Sequence, residues 1–287
     1  MEKAIAFLRG LQEHNTREWF EAHKEEYLRV KAETEAFTER LIAGIASFDP
    51  SVGGLTPKEC TYRIYRDTRF SSDKRPYKTH IGIFVSPGGK KSGHSGYYLH
   101  IEPEHPATND APEGGCMLIT GLYMPAPAIL KSVREEILFN GETFVRNIEA
   151  AKGFTLARTN SLKRLPVGFP ADTPYAEYLR LKDFCLEMPL SEKALHAPAL
   201  LEEAVERFAL TAPFNRLRRY PAKYRHALLH GTATDRERGA PAFASPCVRM
   251  FSYPASGTKK ADRPFYGRSA LFSSTFQPGG EPTPERH

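Results

Sequence analysis

The sequence has few cysteines and no long apolar run. Its four cysteines, Cys60, Cys116, Cys185 and Cys247, lie far apart and form no C-x-x-C pair. This spacing argues against a zinc ribbon and against a secreted disulfide scaffold, so we expect buried free thiols. No apolar run approaches the roughly 20 residues that span a bilayer, and no membrane partner is expected.

Several common signals of location and activity are also missing. The amino-terminal stretch "MEKAIAFLRGLQEHN" contains acids and lacks a small-residue cleavage site, so we expect no signal peptide and a cytoplasmic location. The patterns G-x-S-x-G, H-E-x-x-H and G-x-G-x-x-G do not occur, and "PGGKK" does not complete a phosphate-binding loop. The sequence therefore predicts no cofactor. Whether the protein is an enzyme, which residues would be catalytic and what its oligomeric state is stay open.

The net charge of +6 is concentrated in small parts of the chain. Residues 221–287 contain ten Lys/Arg and five Asp/Glu, so 30 basic and 29 acidic side chains lie in residues 1–220. A protein that follows nucleic-acid phosphates normally has a broad basic field, which a nearly balanced domain does not supply. Nucleic acid is therefore a possible partner but not the favoured one.

Apolar periodicity predicts an α-helical amino-terminal part. Ile5, Leu8 and Leu11 indicate a short amphipathic helix over residues 3–12. Asn15, with Glu18 three residues later, resembles a capping box that begins a long helix extending to about residue 48.

The period then changes to that of short strands. The stretches "CTYRIYR", "HIGIFVS", "GYYLHIEP" and "CMLITGLYM" predict an antiparallel sheet over residues 60–124, with "PGGKKSGHSG" as a hairpin loop. Helical patterns return in "PAPAILKSVREEIL", "ETFVRNIEAAK", "YAEYLRLKDF" and "APALLEEAVERFALTAPFNRLRR". We therefore predict an α+β fold, an antiparallel sheet packed by the long N-terminal helix and followed by a helical C-terminal part.

The domain boundary is predicted near residue 220. We expect residues 1–220 to form a single α+β domain. Residues 221–287 are rich in Pro, Gly, Ser and Ala and show no sustained period, so they predict a low-complexity, disordered basic tail.

Residues 63–80, "RIYRDTRFSSDKRPYKTH", are the basic segment, with six Arg/Lys and two Asp. Guanidinium forks, ammonium groups and a tyrosine hydroxyl held in a fixed geometry suit the recognition of phosphate or carboxylate. The predicted partner is therefore a small anionic ligand. The candidate anion-binding residues are Arg63, Arg66, Arg69, Lys74, Tyr77 and Lys78. Asp67 and Asp73 would orient the arginines.

Two other interpretations of the basic segment stay open. The arginines could form a salt-bridge network that fastens the sheet to the helices in a non-enzymatic interaction module. Alternatively, the segment could contribute to a nucleic-acid-binding surface.

The ten histidines do not predict a metal site. His226 and His230 are four residues apart, but no third ligand lies near them in the sequence. The remaining candidates around the sheet lack metal spacing; they are His80, His94, His100 and His105. His23, on the inward face of the long helix, is predicted to be a hydrogen-bonded core histidine rather than a catalytic base.

The basic segment also matches an R-x-x-R-D-x-R-F-S-x-D-K-x-P-Y-K run. With "FLRGLQEHNTREWFEAHKEEY" before it and "GYYLHIEPE" after it, the chain resembles a widespread bacterial and fungal family of conserved hypothetical proteins, a domain of unknown function. The likeness continues through "LKRLPVGFPADTPYAEYLRLKDF" to about residue 220. The resemblance implies a shared architecture and an important basic cluster, but no activity.

Overall fold

The computed structural model describes residues 1–69, 73–104 and 115–216. The predicted tail, residues 221–287, lies outside the described residues. The α-helices of the described part are α1 (Glu2–Glu13), α2 (Arg17–Ala22), α3 (Lys24–Ala46), α4 (Pro57–Cys60), α5 (Pro127–Ala150), α6 (Ala176–Leu179), α7 (Glu192–His196) and α8 (Leu200–Arg216). The strands are β1 (Ile81–Val85), β2 (Gly96–Ile101), β3 (Cys116–Leu122), β4 (Thr155–Leu156) and β5 (Phe184–Leu190). One short 3₁₀ helix spans Pro50–Val52.

The five strands form one antiparallel sheet, which confirms the α+β class. Their order is β1-β2-β3-β5-β4, and every neighbouring pair is antiparallel. Strands β1 and β2 are joined by the predicted glycine-rich loop. Gly88 and Gly89 adopt φ values of 74° and 80° there, a conformation that glycine reaches without the Cβ penalty.

The sheet extends beyond residues 60–124, which corrects the predicted strand set. Strand β5 pairs with β3, and the two-residue strand β4 forms the far edge. The pattern "YAEYLRLKDF" was predicted to be one helix, but α6 ends at Leu179 and β5 begins at Phe184. The buried residues Leu186, Met188 and Leu190 do alternate with Glu187 and Pro189, but Phe184 ends the helix-like pattern and a proline weakens the strand signal.

The stretch "CTYRIYR" is not a strand. Its first residue ends helix α4, and the remainder forms only two isolated bridges, Thr61 with Ile83 and Tyr65 with Tyr77. A regular ladder fails here because the register changes between the bridges: Tyr65 is four positions after Thr61, whereas Ile83 is six positions after Tyr77. The polypeptide still runs antiparallel to residues 76–83, but irregularly.

The predicted helix up to residue 48 is two helices, separated at His23. The backbone of His23 leaves the helical region at φ −109° and ψ 19°, and its ring stacks on Trp19 at 4.0 Å between centroids. The predicted cap was also wrong. Thr16, not Asn15, is the N-cap residue of α2, since its hydroxyl accepts a hydrogen bond from the amide of Trp19. In the opposite sense, two predicted helices merge into α5, with a kink at Asn140.

The main core lies on one face of the sheet. Helix α8 contacts β3 and also contacts α3. Tyr97 of β2 is fully buried and meets Phe208 of α8 edge to face at 5.4 Å between centroids. The direct packing of the long N-terminal helix on the sheet stays a prediction.

The opposite face of the sheet has its own small apolar cluster, formed by Tyr98, Ile119 and Cys185. Cys60, Cys116 and Cys185 are buried free thiols, as predicted, whereas Cys247 lies outside the described residues. Among the helices of the described residues, none combines the length and apolar character needed to cross a bilayer.

The packing of α8 gives a first prediction. Phe208→Ala should lower the free energy of unfolding by about 3–5 kcal/mol, because it removes a fully buried ring beside Tyr97. Phe139→Ala is the matched control: that ring is 78% exposed, so its loss should change the free energy of unfolding by less than about 0.5 kcal/mol. Urea unfolding of both variants measures the difference, and equal values would contradict the packing described here.

Candidate functional site

The two ends of the basic segment pair with each other. Tyr65 and Tyr77 form an antiparallel bridge, and the amide of Arg66 donates a hydrogen bond to the carbonyl of Pro76 at 2.9 Å. The described connecting residues, 67–69 and 73–75, therefore adjoin a fixed base. Residues 70–72 of this connection lie outside the described residues.

Helix α2 and Asn15, two residues before it, fasten the base to the core. The side chain of Asn15 donates to the carbonyl of Tyr77 and accepts from its amide, both at 3.1 Å. The ring of Tyr77 is 4% exposed and stacks on Phe20 at 4.1 Å between centroids. Tyr77, predicted as a hydroxyl donor to an anion, thus has its ring in the core.

Asp73 contacts two guanidinium groups. Its Oδ2 lies 2.7 Å from Nη1 of Arg66 and 2.8 Å from Nη2 of Arg75. The pKa of Asp73 is far below its ordinary value, first because of the hydrogen bond from the Arg75 side chain and also because of those from the Arg75 amide and the Arg66 side chain. Arg66 also donates to the carbonyl of Arg75 at 3.2 Å. This group fixes both arginines relative to one carboxylate.

Asp67 forms a second, more exposed pair. Two nitrogens of Arg69 donate to its carboxylate at 2.9 and 2.6 Å, although the Arg69 side chain remains 76% exposed. These hydrogen bonds lower the pKa of Asp67 to about 2, and the charge of the exposed Arg63 contributes.

The lysines make contacts of another kind. Lys74 donates to the carbonyl of Thr68 at 3.1 Å. The ammonium of Lys78 lies 5.5 Å from the ring centroid of Tyr62, a cation–π distance. The predicted cationic residues are therefore brought to one segment, but they point to different local partners.

A second cluster, which sequence reasoning missed, lies beside the basic segment. The ligand atoms of His80, His100 and Glu102 all lie within 4.8 Å of one another. Nε2 of His100 is 3.1 Å from Oε2 of Glu102, and the rings of His80 and His100 are 4.7 Å apart between centroids. His100 is fully buried and Glu102 is 7% exposed. We call these three residues the His–Glu cluster.

Two hydroxyl groups complete the surroundings of the His–Glu cluster. Tyr98 Oη lies 3.0 Å from Nδ1 of His100, and Thr79 donates to Oε1 of Glu102 at 2.7 Å. Tyr98, His100 and Glu102 are alternate residues that follow one face of β2. Three polar side chains at this spacing in an otherwise apolar strand were the only signal available in the sequence. His80 is 20 positions away from His100, and chain spacing alone does not predict that they meet.

The basic segment and the His–Glu cluster interact electrostatically. Burial lowers the pKa of His80 to about 3, helped by the adjacent His100 and by the positive charges of Lys78 and Arg66. The pKa of Glu102 is also lowered: burial opposes this, but the hydrogen bonds from His100 and Thr79 and the nearby imidazoles outweigh it. The charge of Glu102 in turn contributes to the raised pKa of Arg75.

His23 and His94 are two further histidines of the described residues. Nδ1 of His23 forms a hydrogen bond with the carbonyl of Trp19 at 2.8 Å in a half-buried position, so it is hydrogen-bonded as predicted. His94 is exposed in the loop before β2. His105, His226 and His230 lie outside the described residues.

The anchoring by Asn15 gives a second prediction. Asn15→Ala removes both hydrogen bonds to the Tyr77 backbone and should lower the free energy of unfolding by about 1–3 kcal/mol. Amide exchange at Tyr77 should accelerate in the same variant. Asn15→Asp keeps the acceptor but not the donor, so this variant should lose less free energy of unfolding than Asn15→Ala. Unchanged exchange at Tyr77 in Asn15→Ala would show that these bonds do not fix the base.

The Asp73 group gives a pH prediction. Because the folded-state pKa of Asp73 is depressed below 3.8, its ion pairs stabilise the fold above that pH and are lost as the pH falls toward the folded pKa. The stability difference between the wild type and Asp73→Asn should therefore be constant near neutral pH and shrink from pH about 4 downward. Urea unfolding across this range measures it, with Asp172→Asn at an exposed loop position as control. A difference that stays constant to pH about 2 would exclude the ion pairs as its source.

Comparison with known proteins assigns the chain to a sequence family. No curated protein and no solved structure matches it significantly. A family model does match, over residues 3–217, which include the basic segment, the His–Glu cluster and every described strand. The chain therefore belongs to the family of conserved hypothetical proteins DUF2461.

Proposed function

We propose that this protein binds a small anion, a phosphate or a carboxylate, at the basic segment. The observation that carries the proposal is the sharing of Asp73 by Arg66 and Arg75 in a segment with six cationic side chains and two carboxylates of its own. Six cationic side chains and two carboxylates give the segment's own side chains a net charge of +4. An anion bound there would lower the electrostatic free energy.

The fixed base of the segment supports binding rather than loose attraction. The Asn15 hydrogen bonds and the Tyr65–Tyr77 bridge order the backbone before any ligand arrives, so binding costs less conformational entropy. The Arg66 side chain is 24% exposed and that of Arg75 is 54% exposed, so solvent and ligand reach both.

The proposed roles follow from these positions. Arg63, Arg66, Arg69, Lys74 and Lys78 supply positive charge to the anion, and Arg75 joins them. Asp67 and Asp73 orient the guanidinium groups. Tyr77 contributes by fixing the backbone, since its ring packs against Phe20.

A purely structural network in a non-enzymatic interaction module is the second candidate. The observation in its favour is that Asp67 and Asp73 already form short ion pairs with Arg69, Arg66 and Arg75. A nucleic-acid surface receives less support, because residues 1–220 are nearly charge-balanced.

Thermal-shift and calorimetric titrations with inorganic phosphate, pyrophosphate and a dicarboxylate test the proposal on chelator-treated protein. An anion at 100 times its dissociation constant should stabilise the wild type by about 2.7 kcal/mol. Arg66→Ala, Arg69→Ala and Lys78→Ala should stay folded and lose this stabilisation. Lys131→Ala, on the exposed surface of α5, is the control and should retain it.

Asp73→Asn separates the two candidates. At an anion site it removes a competing negative charge, so anion affinity should hold or increase even as the protein loses stability. In a purely structural network the same change only destabilises. If no tested anion stabilises the wild type, and the three alanine variants fail to fold, the anion proposal is wrong.

A further inference from the structure

We infer that His80, His100 and Glu102 form a binding site for one divalent transition-metal ion, with Zn²⁺ the best match to the donor set. Two imidazole nitrogens and one carboxylate oxygen are a common zinc ligand set and leave a fourth position open. The inference is independent of the proposed anion, because it concerns different side chains and is tested with the metal alone.

The distances suit a shared ion. Ligands bonded to zinc at about 2.0–2.2 Å in a tetrahedral arrangement lie roughly 3.3 Å apart. The His100–Glu102 pair already has this separation, at 3.1 Å. The remaining ligand atoms lie within 4.8 Å, so a small side-chain rotation of the half-buried His80 would close the set.

Both β2 ligands also have the outer partners that metal ligands usually have. The second nitrogen of His100 contacts Tyr98, and the second oxygen of Glu102 accepts from Thr79. These contacts fix the ring and carboxylate orientations. With Nε2 of His100 as the metal ligand, Nδ1 would carry the ring proton and donate it to the Tyr98 oxygen.

The neighbouring strand leaves room for this arrangement. Gly82 of β1 lies directly opposite His100 in the sheet register. A Cβ atom at Gly82 would lie 2.6 Å from the Tyr98 hydroxyl, so any larger residue would displace it from His100. The glycine thus makes space for a polar contact beside the apolar residues Ile119 and Cys185.

Burial also bears on the proposed site. His100 and Glu102 are buried together, and a carboxylate at this depth needs compensation for its charge. A divalent cation would add to the compensation that the contacts with His100 and Thr79 already give.

Calorimetric titration of the chelator-treated full chain with Zn²⁺ in phosphate-free buffer tests the site, and Co²⁺ reports ligand geometry through its visible absorption. We expect one equivalent of metal per chain and a rise in melting temperature. Tyr98→Phe, which removes an outer partner, should weaken binding about 10- to 100-fold. His80→Asn and Glu102→Gln, which nearly preserve side-chain volume, should weaken binding more than Tyr98→Phe.

Two controls assign the metal to this cluster. His94→Ala changes an exposed histidine before the same strand and should bind as the wild type does. The double variant His226→Ala/His230→Ala should also retain binding. Circular dichroism verifies folding, and because His80 is only half-buried, its variant remains informative if Glu102→Gln does not fold.

Three results would overturn the inference. The first is a wild-type chain that binds neither Zn²⁺ nor Co²⁺ with one-to-one stoichiometry. The second is wild-type affinity in folded His80→Asn. The third is loss of the bound equivalent in the tail double variant, which would place the metal elsewhere.

Discussion

The pair of hydrogen bonds between Asn15 and the backbone of Tyr77 helps to position both the basic segment and the His–Glu cluster. Tyr77 precedes Lys78, Thr79 and His80 and leads directly into β1. Fixing its amide and carbonyl at 3.1 Å therefore sets the exit of the basic segment and the entry of the first strand together. The stacking of Tyr77 on Phe20 adds an apolar contact to the same point. Together with the Tyr65–Tyr77 bridge, this anchor holds the segment that carries Asp73 and leads to His80.

The parts of the fold with a regular period could be predicted from the sequence. Helix α1 follows its apolar pattern because one face is buried and the other is not. Strands β1 to β3 are buried at most positions, and their short runs of β-branched and aromatic residues between turn-formers identify them. Strand β5 could not be predicted in the same way, since its first residue ends a helix-like pattern and Pro189 weakens the strand signal. The break at His23 depends on a ring that stacks on Trp19, which is a contact that periodicity does not report.

The candidate site was predictable only in part, for a related physical reason. The excess of basic residues between Arg63 and His80 is a local property of the chain, so composition identifies it. Which group each of these side chains contacts depends on the folded backbone. The ring of Tyr77, for example, lies in the core. The His–Glu cluster depends on strand pairing, because only the register of β1 against β2 brings His80 to His100. The distance between His80 and His100 along the sequence does not predict this contact.

The proximity of the His–Glu cluster to the basic segment has an energetic consequence. A divalent ion bound by Glu102 and two neutral imidazoles leaves one net positive charge beside Arg66, Lys78 and Arg75. Two unit charges about 8 Å apart repel by roughly 2 kcal/mol at an effective dielectric constant of about 20. An anion at the basic segment would offset this repulsion and tighten metal binding. By thermodynamic reciprocity the metal must then raise the affinity for the anion by the same factor. Burial is the main cause of the lowered pKa of His80, and the charges of Lys78 and Arg66 lower this pKa further.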